Sequence, residues 1–437
     1  MESQHSGTES APSVHLTKNK LGINALLTAN LISLTGNQVT MFALPWFVLE
    51  TTNSATKTAL VAATQMVAFL LAAIVGGVIV DRFGPKWLSV TSDVVSGLSI
   101  VAIPVLMMTV GLTLWQILAF AFVGAILDSP GNNARFNILT DLIEETGSGP
   151  ERIYSAFSTA DGIARIGGPI LAGGLIGWFG AVNALWVDAA SFAVSALVIT
   201  ILVPATKRAT ESAGSFFKDV QAGWDYLRSR RILVNFFTLI VLINMSAVPL
   251  AAVVIPKIAR DHYDSSRAGG FMLAADGVGV IVGGVIFGII GRRLTPWRSM
   301  FTALTLLVIS ALILSGLFPI VISVGALLIT GIGFGIMVPN NQTIYRRITD
   351  VEFRGRLLGL RDAVVGISAP AMVVTAGLLL DVLPIRLVVL MLAVINLAAL
   401  TWFLFEQTFR LFNEEAASEG DHPERSGEQV ASPTGSA

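Results

Sequence analysis

The sequence predicts an all-α membrane protein: twelve transmembrane helices arranged as two pseudo-symmetric six-helix bundles. Three observations carry that expectation. Apolar residues make up 54% of the 437-residue chain, charged residues only 13%, and the mean hydropathy is +0.74. A soluble globular domain carries roughly 25% charge, and no single water-soluble core absorbs such an apolar surplus. The apolar residues come in runs of about 20, the length that crosses a bilayer at 1.5 Å rise per residue. Landmarks of the first half also recur, in order, in the second.

Residues 1–20 are rich in Ser, Thr, Glu and His and are expected to be disordered. The apolar run from Leu21 is too long for a signal-peptide core and has no cleavage site after it, so it reads as a retained first span. The N-terminal bundle, 21–204, holds spans near 21–48, 58–80, 88–110, 113–135, 156–178 and 183–204. A polar linker occupies 205–231, where Phe217, Val220, Trp224 and Leu227 recur at helical spacing beside Lys218, Arg228 and Arg230. That pattern predicts an amphipathic helix lying on the inner leaflet. The C-terminal bundle, 232–406, holds spans near 232–256, 268–290, 299–318, 321–344, 357–380 and 385–406, and a polar tail, 407–437, is expected to be disordered. Trp46, Trp87, Trp115, Trp178, Trp186, Trp297 and Trp402 fall near span ends, where interfacial aromatic belts sit.

An even number of spans puts both termini on one side. That side collects 22 of the 28 Lys and Arg residues and the opposite side five, with Arg165 inside a span. The positive-inside rule makes the side of the termini cytoplasmic. The formal net charge of −1 and pI near 6.4 give no attraction to nucleic acid. Cysteine is absent, which removes disulfides, thiolate nucleophiles and Cys-ligated zinc, and His5, His15, His262 and His422 all lie in polar segments. There is no G-x-x-x-x-G-K-[ST] loop for ATP and no Ser/His/Asp constellation. No metal or cofactor is expected, and the chain is not expected to be an enzyme.

The repeat is specific in its offsets. Gly76-Gly77-Val78-Ile79 recurs as Gly283-Gly284-Val285-Ile286. Pro130 and Thr140-Asp141 match Pro339 and Thr349-Asp350 at 209 positions, while Asp161, Ile166 and Pro169 match Asp362, Ile367 and Pro370 at 201. Such duplication is a hallmark of one large transporter fold. Gly77-Val-Ile-Val-Asp81-Arg82-Phe-Gly84-Pro-Lys86 resembles the loop-2/3 signature of the major facilitator superfamily, and Gly167-Gly168-Pro169-Ile-Leu-Ala-Gly173-Gly174 resembles its exporter-type fifth-span motif. Asp93, Ala134-Arg135 and the helical linker resemble the branch of bacterial macrolide-efflux and enterobactin-exporter-like proteins. The resemblance runs from about Leu21 to Phe412 and implies the major facilitator fold, a bacterial cytoplasmic membrane and a monomer. The chain departs from drug/proton antiporters of that superfamily in the fourth span: Asp128 is the charged residue there, and Arg135 lies near the inner end.

Gly77, Asp81, Arg82, Gly84 and Lys86, with Asp93 and Arg135, form one candidate group, a conformational latch in which Asp81 meets a helix N-terminus across the halves. The bland alternative is a solvated loop that only sets topology. Gly167, Gly168, Pro169, Gly173 and Gly174 allow close helix packing and a kink, either to set how the halves meet or merely to pack. Asp161 and Arg165, four apart on one helical face, are placed to pair with each other, and Asp362 follows Arg361 near the inner mouth. An ionisable group inside a span costs about 2.5 kcal/mol or more, so Asp128, Asp188 and Asp276 are candidates for the substrate or proton pathway. Asp276 has no basic residue within four positions; it either serves such a site or is satisfied by a neighbouring helix. Asn30, Asn37, Gln38, Gln65, Asn244, Asn340, Asn341 and Gln342 are candidate cavity-lining groups.

The expected function is secondary active export of a small amphipathic molecule, antibiotic-, macrolide- or siderophore-like, by alternating access, with the proton as coupling ion. A nutrient or metabolite importer of the same fold and a non-transporting membrane sensor are the alternatives; the importer would call for more charged groups in mid-membrane.

Overall fold

A computed structural model of the chain describes residues 11–204 and 216–410; the side chains of 11–18, 73–83, 216–220 and Arg292 lie outside the description. The first half comprises α1 (Ala11–Thr52), α2 (Ala55–Phe83), α3 (Pro85–Thr109), α4 (Leu114–Thr146), α5 (Pro150–Phe179) and α6 (Ala181–Leu202). A linker helix, α7 (Phe216–Ser229), precedes the second half. There α8 (Arg231–Pro249) runs through a π-helical turn, Leu250–Val254, into α9 (Ile255–Asp261), followed by α10 (Ser266–Ile290), α11 (Pro296–Ser315), α12 (Ile320–Ile348), α13 (Arg354–Val382) and α14 (Ile385–Phe405). No strand occurs among the described residues.

Local chemistry sets the breaks. Gly84 adopts φ +75°, a left-handed backbone that lets α2 turn at once into α3, whose first residue is Pro85. Thr113 and Gln116 cap α4 reciprocally, Ser265 caps α10, and Thr295 with Pro296 starts α11. Pro249 and Pro256 flank the π-turn, so the seventh span is one interrupted helix.

Eleven of the helical segments are long and apolar enough to cross a membrane. α1 is not among them, because Asn30, Ser33, Asn37, Gln38 and Thr40 interrupt its apolar run. Those groups do not face outward: Asn30, Ser33 and Thr40 are buried within the first half.

The halves repeat one packing scheme. The second, third and fourth helices of each bundle pair in the same way, α2 on α4 and α3 on α4 matching α10 on α12 and α11 on α12. Two crossed seams join the bundles: α5 lies on α10, and the equivalent pair in the other half, α13, lies on α2. Glycines make these contacts backbone-to-backbone, as helix association in lipid favours. A Cβ on Gly270 would sit 2.5 Å from the Pro169 carbonyl, and one on Gly377 would sit 2.8 Å from the Ala55 carbonyl. Within the second half, Gly279 and Gly283 of α10 meet Gly331 and Gly335 of α12 equally closely.

The described hydrogen bonds between halves cluster at the face away from the termini, here the far face. Ser54 and the backbone of Ala55 and Thr56 bond Asp381, Arg260 bonds Asn53, and Ser266 bonds the Gly173 carbonyl. Among the described residues toward the terminal face, a Cβ on Gly162, Gly355 or Gly359 would meet nothing within 4 Å, and the Asp161–Arg165 pair stays exposed.

The linker helix packs against the second half. Leu227 is buried in the second half's core, Tyr226 stacks on Phe353, and Arg230 pairs with Asp350, so α7 docks on the turn between α12 and α13. Trp224 alone of the described apolar stripe remains outward, with Arg228 over its ring. Phe217 and Val220 lie outside the described side chains.

The seam geometry makes a testable distinction between glycines. Gly283→Ala places a Cβ 2.3 Å from the Ile332 carbonyl, whereas Gly288 has nothing within 4 Å. Gly283→Ala is expected to destabilise by about 1–3 kcal/mol, and Gly288→Ala to be neutral or to stabilise by roughly 0.5–1 kcal/mol. Thermal midpoints of the purified proteins in detergent decide it; equal midpoints would remove the close approach.

Candidate functional site

The charged residues within the first half converge. Arg135 of α4 forms a buried ion pair with Asp93 of α3. Its guanidinium also donates to Ser89, to Ser33 and Asn30 of α1, and to Ser195 of α6 at 3.2–3.5 Å. The other Asp93 oxygen accepts from Ser195 at 2.7 Å. A buried charge is tolerated only when paired and hydrogen-bonded, and here four helices share that task. The sequence placed Asp93 and Arg135 near the inner ends of their spans as a contacting pair; in the fold Arg135 is 4% exposed.

Asp128 and Asp188 lie close by. Asp128 of α4 accepts from Ser96 of α3 at 3.0 Å, and Asp188 of α6 accepts from Ser191 at 3.1 Å. A Cβ on Gly36 would collide with both Asp188 and Ser191, so that glycine of α1 makes room for the acid. One Asp188 oxygen is buried without a described partner. The first half thus buries Asp93, Asp188 and Arg135, with the half-buried Asp128 beside them.

Asp276 differs. It lies in α10 beside Gly277, which faces Ile166 of α5, and its carbonyl abuts Gly331 of α12. One carboxylate oxygen is buried with no described hydrogen-bond partner. It stands one residue from the α5–α10 seam, with its backbone on α12 of its own half. On α5 Arg165 bonds Asp161 at 2.7 Å, and on α13 the repeat-related Asp362 bonds Arg361 at 2.8 Å.

The fifth-span glycines divide their work. Gly168 clears the Gln38 side chain of α1, Gly173 meets Gly270 and the Ser266 carbonyl of α10, Gly174 lies near Trp178, and Gly167 borders open space. Asn37, Gln65 and Asn244 are half-buried, and Asn244 bonds its own helix at the Ile240 carbonyl. Asn340 is turned away from the gap between halves: it is buried and donates to the Pro296 carbonyl, tying α12 to α11. Asn30 is likewise taken up inside the first bundle by Arg135. Asn341 keeps a buried oxygen without a described partner, and Gln342 is exposed.

The loop-2/3 group is only partly visible. The side chains of Gly77, Asp81 and Arg82 lie outside the described residues. Lys86 donates to the Thr200 and Val203 carbonyls at the end of α6, which caps that helix within the same half. An enclosed cavity of about 20 Å³ in the second half, lined by Ser246, Thr330 and Asn396 among others, has room for one water and none for a solute. Among the described residues no cluster of His, Cys, Asp and Glu is arranged to hold a metal.

The sequence reading missed Asp381 and Asn53 at the far face and the Tyr226–Asp350 docking contact. An acid in the last turn of a span, the wrong end of its own helix dipole, was the available signal for Asp381.

Asp93 and Arg135 predict strong non-additivity. Arg135→Ala leaves a buried carboxylate alone and is expected to cost about 3–5 kcal/mol. The double variant Asp93→Ala/Arg135→Ala should be less harmful than the two single losses added together. Detergent melting curves of the four proteins measure it, and simple additivity would dissolve the pair.

The chain is similar to proteins of known kind. The family model described as Major Facilitator Superfamily matches residues 26–350 and 238–435. The multidrug efflux pump Tap of Mycobacterium tuberculosis is 25% identical over 362 residues, covering 82% of this chain and 86% of that protein. The protein of the same name from Mycolicibacterium fortuitum is 25% identical over 376 residues, covering 84% and 91%. Among solved structures, the nucleoside transporter NupG superposes with a TM-score of 0.75 at 12% identity, covering 87% of this chain and 98% of that one. A bacterial homologue of the iron transporter ferroportin gives 0.64 at 16% identity, covering 87% and 97%. The two solved structures show a shared fold. With a family match spanning both repeats and a duplicated bundle crossed at two seams, the chain belongs to the Major Facilitator Superfamily and is a multi-pass membrane transporter, not an enzyme.

Proposed function

We propose that the protein is a secondary active exporter of small amphipathic, antibiotic-like molecules, driven by the proton gradient, with both termini in the cytoplasm. The orientation rests on the concentration of Lys and Arg on the side of the termini. Export rests on likeness over more than four-fifths of the chain to relatives named multidrug efflux pumps. The observation that carries the mechanism is Asp276. A carboxylate within a span, one residue from the seam between halves and with one oxygen buried without a described partner, is placed to change its surroundings as the halves move. It can trade a proton for a cationic or polar group of the cargo as the seam opens to one side and then the other. The hydrogen bonds that join the halves at the far face suit loading from the cytoplasm.

On the terminal face we assign Asp81, with Arg82, the role of latch for the opposite conformation. Asp93 and Arg135 keep the first bundle rigid beneath it. Asp188, buried in that bundle, and the half-buried Asp128 are second candidates for the proton path.

Cells producing the protein should accumulate less of a lipophilic cationic dye or macrolide than cells without it, and a protonophore should abolish the difference. Equal accumulation over a broad antibiotic and siderophore panel counts against export. Asp276→Asn should remove at least about 90% of the flux, the scale of losing an interaction of roughly 1.4 kcal/mol, at unchanged protein level; full flux takes Asp276 out of the mechanism. Asp81→Asn should slow turnover more than it weakens half-saturation, and unaltered turnover argues against the latch.

A further inference from the structure

The first hairpin tip is held from the opposite half. α2 begins at Ala55 with three backbone N–H groups in need of partners. Its own Ser54 supplies one, accepting from the Lys57 N–H at 3.2 Å. The Ala55 and Thr56 N–H groups bond Asp381 of α13, at 2.6 and 3.0 Å, and the Ser54 hydroxyl donates to the same carboxylate at 2.8 Å. The cap of this helix is therefore split between the two bundles. Where the structure describes a side-chain cap elsewhere, on α4, α10 and α11, neighbouring residues provide it.

Nothing in α13 calls for this acid. Asp381 stands in the last turn, where the helix dipole disfavours negative charge. One turn earlier Gly377 lets α13 close on α2, since a Cβ there would lie 2.5 Å from that of Ala59. A second inter-half bond closes the same corner: Arg260 of α9 donates to Asn53 at 2.6 Å, and Asn53 holds φ +52° at the tip. The carboxylate is exposed to solvent, so these charge-assisted bonds bias the closed state without locking it.

We propose that Asp381 is the gating residue of the far face, holding it shut by capping α2 and releasing that helix when the halves rock apart. This rests on the alternating-access reading above. Opening the far face separates 54–56 from 381 and hands both the two N–H groups and the carboxylate to water; closing remakes the cap. Asp381 acts through the position of α2 and has no contact with cargo.

The chain has no cysteine, so single-cysteine reporters need no background removal. Ala62→Cys places a thiol in the buried cluster that contains Ala55, Ala59 and Val373 at the inter-half seam. Ala303→Cys places one inside the second bundle as a control. The purified protein in detergent, without any cargo, is treated with a water-soluble thiol reagent. Asp381→Asn is expected to speed labelling of the Ala62→Cys protein about fivefold, a population shift of the size one such interaction commands, while the Ala303→Cys protein stays protected. Unchanged labelling at position 62, or labelling that rises equally at 303, overturns the gate. Because no flux is measured, this result stands apart from whether the tested compounds are exported.

Discussion

The two crossed seams, α5 on α10 and α2 on α13, are the constraint on which the rest of the fold depends. Lipid supplies no hydrophobic drive between helices, so contact must come from close fit and from hydrogen bonds. Gly173 against Gly270, and Gly377 against Ala55 and Ala59, bring backbones together where any larger residue would separate them. The described bonds between the halves sit at one end. Asp381, Arg260 and Ser266 all act at the far face, so a rocking motion about the seams loosens one mouth while the other is held.

Duplication has conserved backbone geometry more faithfully than charge. The first bundle is stiffened by ions: Asp93 with Arg135, and Asp128 and Asp188 held by serines. In the second, neutral pairs join Ser246 with Asn396 and Ser310 with Thr330, beside the Lys257–Asp261 ion pair. Within a span of the second half, Asp276 keeps one buried oxygen without a described partner. Tyr226 and Arg230 fasten the linker helix to the second half.

Much of the site was legible by residue and little of it by partner. The sequence marked Asp128, Asp188 and Asp276 because ionisable groups are expensive in a span, and marked Asp161 with Arg165 because four residues bring two side chains to one helical face. It placed Asn340 at the cavity, and the fold spent that amide on the Pro296 carbonyl instead. It treated Arg135 as a residue of the inner end, and the fold surrounded it with Ser89, Ser33, Asn30 and Ser195 from three other helices. It passed over Asp381 altogether.

The division has a physical cause. Hydropathy, span length, turn glycines and the repeat are local or periodic properties of the chain, and with the family resemblance they determined an all-helical, duplicated membrane bundle without any coordinates. Partnership across helices is not local. Asp381 and Ala55 are 326 residues apart, and Asp93 reaches Ser195 across 102. Only tertiary structure decides which faces of two apolar helices turn toward each other, and therefore which acid is paired, which is left alone and which closes a gate.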